Sequence, residues 1–222
     1  MEAISLLTGP GEGIYEEKRS RFLGIALPAH SEEEALELIQ KRRREHPDAR
    51  HHCYAFTCGL TQERSRFSDD GEPSGTGGKP ILDMLAGSGA HDAIVIVTRY
   101  FGGTLLGTGG LSRAYGTAAS MALKNAEQSL LYSGREWDVT AAYADYAALD
   151  RYLKRQEISR LKEDFGATVE LKLVLLPEEE EGFLRQAADL SSGAIRTKAG
   201  DEVRFFKQKE RAVLWEPPAL NI

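Results

Sequence analysis

Cysteine is scarce in this chain: Cys53 and Cys58 are the only two among 222 residues. They lie in HHCYAFTC, which alternates and carries aromatics like a strand. Extended, their Cα atoms stand roughly 16 Å apart and point to opposite faces, so they cannot bridge each other. Two reduced, buried thiols fit a reducing compartment. Long apolar runs are missing too. The tightest, Ala93 to Val97, is far too short to span a bilayer. The amino-terminal MEAISLLTGP, with an early Glu2 and no basic segment, is a poor signal peptide. A cytoplasmic protein without membrane contact is expected. Nor is there an excess of basic charge: 28 Lys and Arg stand against 34 Asp and Glu, a net charge of −6. Divided after Arg135, both parts are net acidic. Non-specific binding to duplex DNA rests on many phosphate contacts and is not expected, so any nucleic-acid contact must be local.

What is present is the composition of an ordinary globular protein, 41% apolar and 28% charged, in a chain long enough for two domains. Gly13 to Pro28 reads as two extended pieces. SEEEALELIQKRRREH reads as a helix, with Ser31 and Glu34 as a capping box, acids in the first turn and bases in the last. HHCYAFTC and Arg64 to Ser68 read as strands, and DDGEPSGTGGK as a loop. PILDMLAG is a short helix with Pro80 first and Gly87 beyond its end. Ala93 to Thr98 is a β-branched run expected to be buried on both faces. Leu111, Tyr115, Ala118, Ala122 and Ala126 make a helical stripe of mostly small residues.

At Ser133 to Glu136, SGRE breaks the pattern. WDVTAAYA then reads as a strand, Asp145 as a helix cap, Glu157 to Lys162 and Ala167 to Leu176 as strands, Pro177 as the start of a helix, and Ser192 to Phe206 as a last strand. This βαββαβ order is that of a ferredoxin-like unit. The expected domains are 1–135, 136–210 and a tail at 211–222.

Five glycines crowd YFGGTLLGTGG, Tyr100 to Gly110, between the buried strand and the long helix. Glycine is the costliest residue to order, so such a cluster implies special dihedrals or a close approach. A dinucleotide fingerprint fails here because Ser112 stands where a third glycine is wanted. A Walker A reading of GEPSGTGGKP fails on Pro73 and Pro80. What remains is a strand-to-helix corner whose free N–H groups favour an anion. Gly102, Gly103, Gly107, Thr108, Gly109 and Gly110 supply that backbone, and Lys79, Arg99 and Arg113 are the expected phosphate-contacting cations.

Asp69, Asp70 and Glu72 do not form a calcium pattern and read best as a solvated acidic turn. With His52 they make a second, acid–base candidate set. His51, His52 and Cys53 resemble zinc ligands only in composition, no metal or cofactor is expected, and no spacing provides Cys53 with a base. KRRR at 41–44 compensates a helix dipole or makes a modest RNA-contacting patch.

Together, HPDARHHCYAF, FSDDGEPSGTGGKPIL and VTRYFGGTLLGTGGLSRAYG resemble the signatures of the IMPACT family, in particular its bacterial YigZ-type members. The resemblance covers nearly the whole chain. It implies an α+β protein of two domains. The first would have the fold shared by elongation factor G domain four and the GHMP kinases (ribosomal-protein domain-2-like), and the second would be ferredoxin-like. Eukaryotic relatives add an RWD module and dampen a translation-control kinase by competing for its ribosome-bound activator; no such module is expected before Gly13. The resemblance thus implies a non-enzymatic, translation-associated regulatory factor that binds ribosome or structured RNA, with a translation-factor or kinase-activator protein as a further partner. The alternatives are an enzyme acting on a nucleotide or phosphorylated small molecule, and a structural protein-interaction module.

Overall fold

The structure is a computed structural model describing residues 3–60 and 64–216. Its contacts divide the chain into two units, Ile4–Ser129 and the residues from Leu130 onward. The division by contacts falls near the start of a strand that runs from Gln128 to Ala141.

The amino-terminal unit contains β1 (Ile4–Leu7), β2 (Gly11–Glu17), β3 (Ser20–Pro28), α1 (Glu32–Glu45), β4 (His51–Cys58), β5 (Arg64–Ser68), α2 (Gly78–Ser88), β6 (Ala90–His91), β7 (Ala93–Tyr100) and α3 (Gly107–Asn125). Five strands form a sheet in the order β2-β3-β7-β4-β5. Every neighbouring pair is antiparallel, and the short β1 and β6 pair in parallel.

The central strand is β7, buried from Ala93 to Arg99 as its β-branched run predicts. Strand alternation sends Val95 and Val97 to one face, where they meet Ile81 and Leu85 of α2 and Ala114, Tyr115 and Ala118 of α3. Ile94 and Ile96 go to the other face, against Phe56 and Ala35 and Ile39 of α1. Each such apolar side chain contributes about 1.5–3 kcal/mol on burial, which is why both faces need a helix cover.

Helix α1 starts as read: Ser31 Oγ accepts from the Glu34 N–H at 3.1 Å. The Glu34 carboxylate reaches back one residue further, to the His30 N–H at 2.8 Å. Helix α2 begins earlier and ends later than expected. Gly87 lies within it, and Gly89, with φ 68°, is its left-handed cap.

In the carboxyl-terminal unit, β8 (Gln128–Ala141), α4 (Tyr143–Arg155), β9 (Ser159–Phe165), β10 (Val169–Leu175), α5 (Pro177–Ser191) and β11 (Arg196–Gln208) give the βαββαβ order, followed by β12 (Arg211–Leu214). The pairings run β9-β10-β8-β11-β12, each antiparallel. Leu149 and Leu153 of α4 and Phe183 and Ala187 of α5 pack on Trp137, Val139, Leu171 and Leu173.

Three expectations are corrected in this unit. SGRE does not break the chain: Arg135 pairs with Leu175 on one side and Glu202 on the other, so two neighbours hold the strand straight through Gly134. Asp145 is in the first turn of α4, where the dipole favours it, and Ala142 occupies the cap position. The expected tail begins with β12, which Lys209, at φ 57°, turns back onto β11. Residues 217–222 lie outside the described residues. Among the described residues no helix is long and apolar enough to cross a membrane.

Candidate functional site

The three glycine- and charge-rich stretches of the amino-terminal unit meet at one end of its sheet. The amino end of β4 lies against the carboxyl end of β7, with His51 opposite Arg99 and His52 opposite Thr98. On the other side of β7, Arg21 of β3 is opposite Tyr100. The loop after β5 folds back onto this end. The Asp70 carboxylate accepts from the His52 N–H at 2.7 Å and from Arg43 of α1 at 2.6 Å, while its carbonyl lies 2.9 Å from His51 Nδ1.

The acidic turn differs from the solvated one that the sequence predicts: its three carboxylates are engaged within the protein. Asp69 accepts from the N–H groups of Gly75 and Gly77 at 2.9 Å and of Gly78 at 2.8 Å. Burial pushes this carboxyl up, but the three backbone donors outweigh it and leave the group below its ordinary range. The start of α2, which has no acid in its first turn, therefore holds a carboxylate from outside the helix. Glu72, 9% exposed, accepts from Arg99 Nη1 at 2.6 Å and from the Tyr115 hydroxyl at 2.8 Å. Burial first, then Cys53 and Glu72, push the Tyr115 phenol up, so it stays a donor. The Cys53 thiol, also raised by burial, donates to the Asp69 carbonyl at 3.0 Å.

His52 does not join Glu72 in an acid–base set. Alternation along β4 places His52 on the α1 face, where its Nδ1 lies 3.1 Å from Thr98 Oγ1. Arg99 and Glu72 lie on the other face with Phe22 and Tyr115. Burial lowers the His52 pKa, with Arg43, His46 and Arg42 adding to the effect and Asp70 opposing it. Among the described residues, no three His, Cys, Asp or Glu side chains are placed to hold a metal ion.

The glycine corner has two parts. Gly102 donates its N–H to Ser20 Oγ at 3.0 Å, and a Cβ there would lie 2.1 Å from the Arg19 carbonyl carbon. Only glycine lets the corner press on the β2–β3 turn. Gly107, with φ 73°, then opens α3. That helix start has no side-chain cap and no acid in its first turn, and Gly107, Thr108 and Gly109 are exposed. Arg113 is exposed one turn further on, with Nη1 3.7 Å from where a Cβ of Gly109 would sit. Beside it, between α2 and α3, lies an open cleft of ≈ 680 Å³ lined by Tyr15, Met84, Arg113, Gly116 and Met121 among others.

The three expected phosphate cations are therefore not equivalent. Arg99 is buried and paired with Glu72, and Lys79 is exposed but paired with Asp83. Arg113 alone of the three has no ion pair among the described residues. The tetrapeptide Gly-Thr-Gly-Gly occurs at both helix starts, at 75–78 and at 107–110. The first is filled by Asp69, and among the described residues no carboxylate bonds to the second.

Sequence reasoning missed Tyr115 as a partner of Glu72 and Arg43 as a partner of Asp70. It also missed the Lys18–Arg19 turn, whose signal was two alternating runs separated by two residues.

The Impact N-terminal domain family matches residues 18–123, and a domain of unknown function, DUF1949, matches residues 139–194. The chain is 35% identical over 204 residues to the IMPACT family member YigZ of Escherichia coli K12, covering 91% of this chain and 100% of that protein. It is 33% identical to the IMPACT family member YvyE of Bacillus subtilis 168, covering 83% and 85% of the two chains. A crystal structure described as that of a hypothetical protein, 34% identical, superposes with a TM-score of 0.58 over 90% of this chain and 98% of the other.

Proposed function

This chain belongs to the IMPACT family, and from that premise we propose that it is a cytoplasmic, non-enzymatic, translation-associated factor that binds ribosome or structured RNA by its phosphates. The observation that carries this reading is the contrast between the two Gly-Thr-Gly-Gly helix starts. At α2 the backbone donors hold the Asp69 carboxylate. At α3 the first turn is exposed and uncapped, and Arg113 stands over it. Backbone N–H groups and one guanidinium hold a phosphate without reading a base, so little sequence specificity follows. The net charge of −6 keeps the contact local. A translation factor or kinase activator on the ribosome is the further partner in this reading.

An enzyme acting on a nucleotide or phosphorylated small molecule is less well supported. Asp69, Asp70 and Glu72 are already engaged by backbone donors, Arg43 and Arg99.

Co-sedimentation with ribosomes at low and high salt tests the proposal. Thr108→Glu places a carboxylate in the first turn of α3, where the dipole favours it, so the variant keeps its fold while an anion is repelled. Association at low salt that falls several-fold in Thr108→Glu and in Arg113→Gln supports the reading. Association indifferent to both changes, or none by the unmodified protein, sinks it.

A further inference from the structure

We propose that the Lys18–Arg19 turn and the Phe101 ring form a surface for unpaired nucleotides. This rests on the phosphate-binding reading and narrows its ligand to single-stranded segments of RNA.

Strands β2 and β3 are joined by two residues only, since Glu17 pairs with Ser20. Both are exposed cations. Other cations of this unit are paired with carboxylates: Arg21 with Glu16, Arg43 with Asp70, Lys79 with Asp83. Lys18 and Arg19 have no side-chain hydrogen bond or ion pair among the described residues. Two cations without a partner among the described residues, at the tip of a hairpin, leave a positive point on an acidic protein.

The aromatic group is fixed beside them. Gly102 packs directly on the Arg19 peptide and bonds to Ser20, so Phe101, its neighbour in the chain, is carried next to the turn. Phe101 is 53% exposed. The Arg99 guanidinium lies 5.4 Å from its ring centroid and 5.4 Å from that of Phe22, and Glu72 holds it there. A buried ion pair thus supports a ring that is half in water.

A ring with cations beside it matches a base with its phosphates. In duplex RNA the base faces are stacked away, whereas an unpaired base offers one face to an aromatic side chain and its backbone to Lys and Arg. An acidic or purely apolar protein partner would use one half of this surface and waste the other.

The test uses fluorescence anisotropy with a labelled oligouridylate and with an RNA duplex of the same length. Phe101→Leu keeps an apolar side chain and removes the stacking face. Lys18→Asn with Arg19→Gly removes both charges and installs the residue pair such turns favour, so weaker binding cannot be assigned to a damaged hairpin. The unmodified protein is expected to prefer the single strand. Phe101→Leu should weaken single-strand binding about tenfold, within the range known for one stacked base, and leave the duplex unaffected. The turn variant should reduce the slope of log K against log salt by about 1–2.

Equal affinity for both RNAs, with Phe101→Leu and the turn variant unchanged, overturns this inference and leaves the phosphate reading standing. No binding to either RNA at low salt, with ribosome co-sedimentation retained, overturns this inference alone, whereas loss of both overturns the reading beneath it. Loss of ribosome co-sedimentation in Phe101→Leu without any change in RNA binding assigns the surface to a protein and overturns the proposal.

Discussion

Arg99 and Glu72 form an ion pair at 2.6 Å with side chains only 6% and 4% exposed. They tie the loop between β5 and α2 to the end of the central strand. A buried pair of this kind is costly to break one-sidedly, because the remaining charge has no water to return to. Glu72→Leu is expected to lower stability by about 3–5 kcal/mol, and the double variant Glu72→Leu with Arg99→Met to recover most of that loss. Urea unfolding of the two single variants and the double one measures this. A double variant no better than the sum of the singles would contradict the coupling of the two charges.

Asp69 should behave as a pH-dependent cap. Asp69→Ala is expected to cost about 1–2 kcal/mol at neutral pH. Hydrogen bonds hold this carboxyl below its ordinary 3.8, so its contribution is complete above that value and disappears as the pH falls through the lower, folded-state pKa. The difference between Asp69→Ala and the unmodified protein should therefore shrink on acidification. Unfolding curves at neutral pH and near pH 2 decide; a constant difference would mean that the charge is irrelevant.

His30 provides the opposite slope. Its hydrogen bond to Asp92, at 3.4 Å, raises its pKa, with burial opposing and the charges of Asp92 and Glu34 adding to it. Stability from this pair is fully present below the unfolded value of 6.5 and is lost as the pH rises through the folded one. The side chain is 28% exposed, so the effect is expected to stay under about 1 kcal/mol. NMR titration of the His30 ring should show the raised midpoint in the folded protein, and Asp92→Asn should bring it down.

The β2–β3 turn is conformationally expensive. Lys18 and Arg19 have φ of 46° and 66°, a region that side chains with a Cβ enter at a cost. Lys18→Asn with Arg19→Gly should therefore stabilise the protein by about 1–2 kcal/mol. A melting temperature that rises by a few degrees is the expected readout, and a fall would mean that the two side chains contribute to the fold.

The elements were legible where one local rule decided them. The run AIVIVT could only be a doubly covered strand, and Ser31 with Glu34 marked the start of α1. The βαββαβ order followed from alternation and turn residues. SGRE misled because a glycine in an edge strand and one in a strand paired on both sides look the same in sequence. The site was less legible. Arg99, Glu72 and Tyr115 are brought together from three elements, and Arg99 reads as a surface cation until β7 is known to be covered on both faces. No residue identity announces that Lys18 and Arg19 are left-handed, since asparagine and glycine, the usual signal, are absent. His52 and Glu72, similar as candidates, are separated by the sheet itself.

The two Gly-Thr-Gly-Gly starts differ in one further respect. The carboxylate on α2 is part of the same chain, so its local concentration is fixed by the loop that carries it and does not depend on the solution. Removing it by Asp69→Ala should let formate or phosphate from the buffer take its place and restore part of the lost stability. At α3 no tethered carboxylate is found among the described residues, and occupancy there would follow the concentration of whatever anion is free.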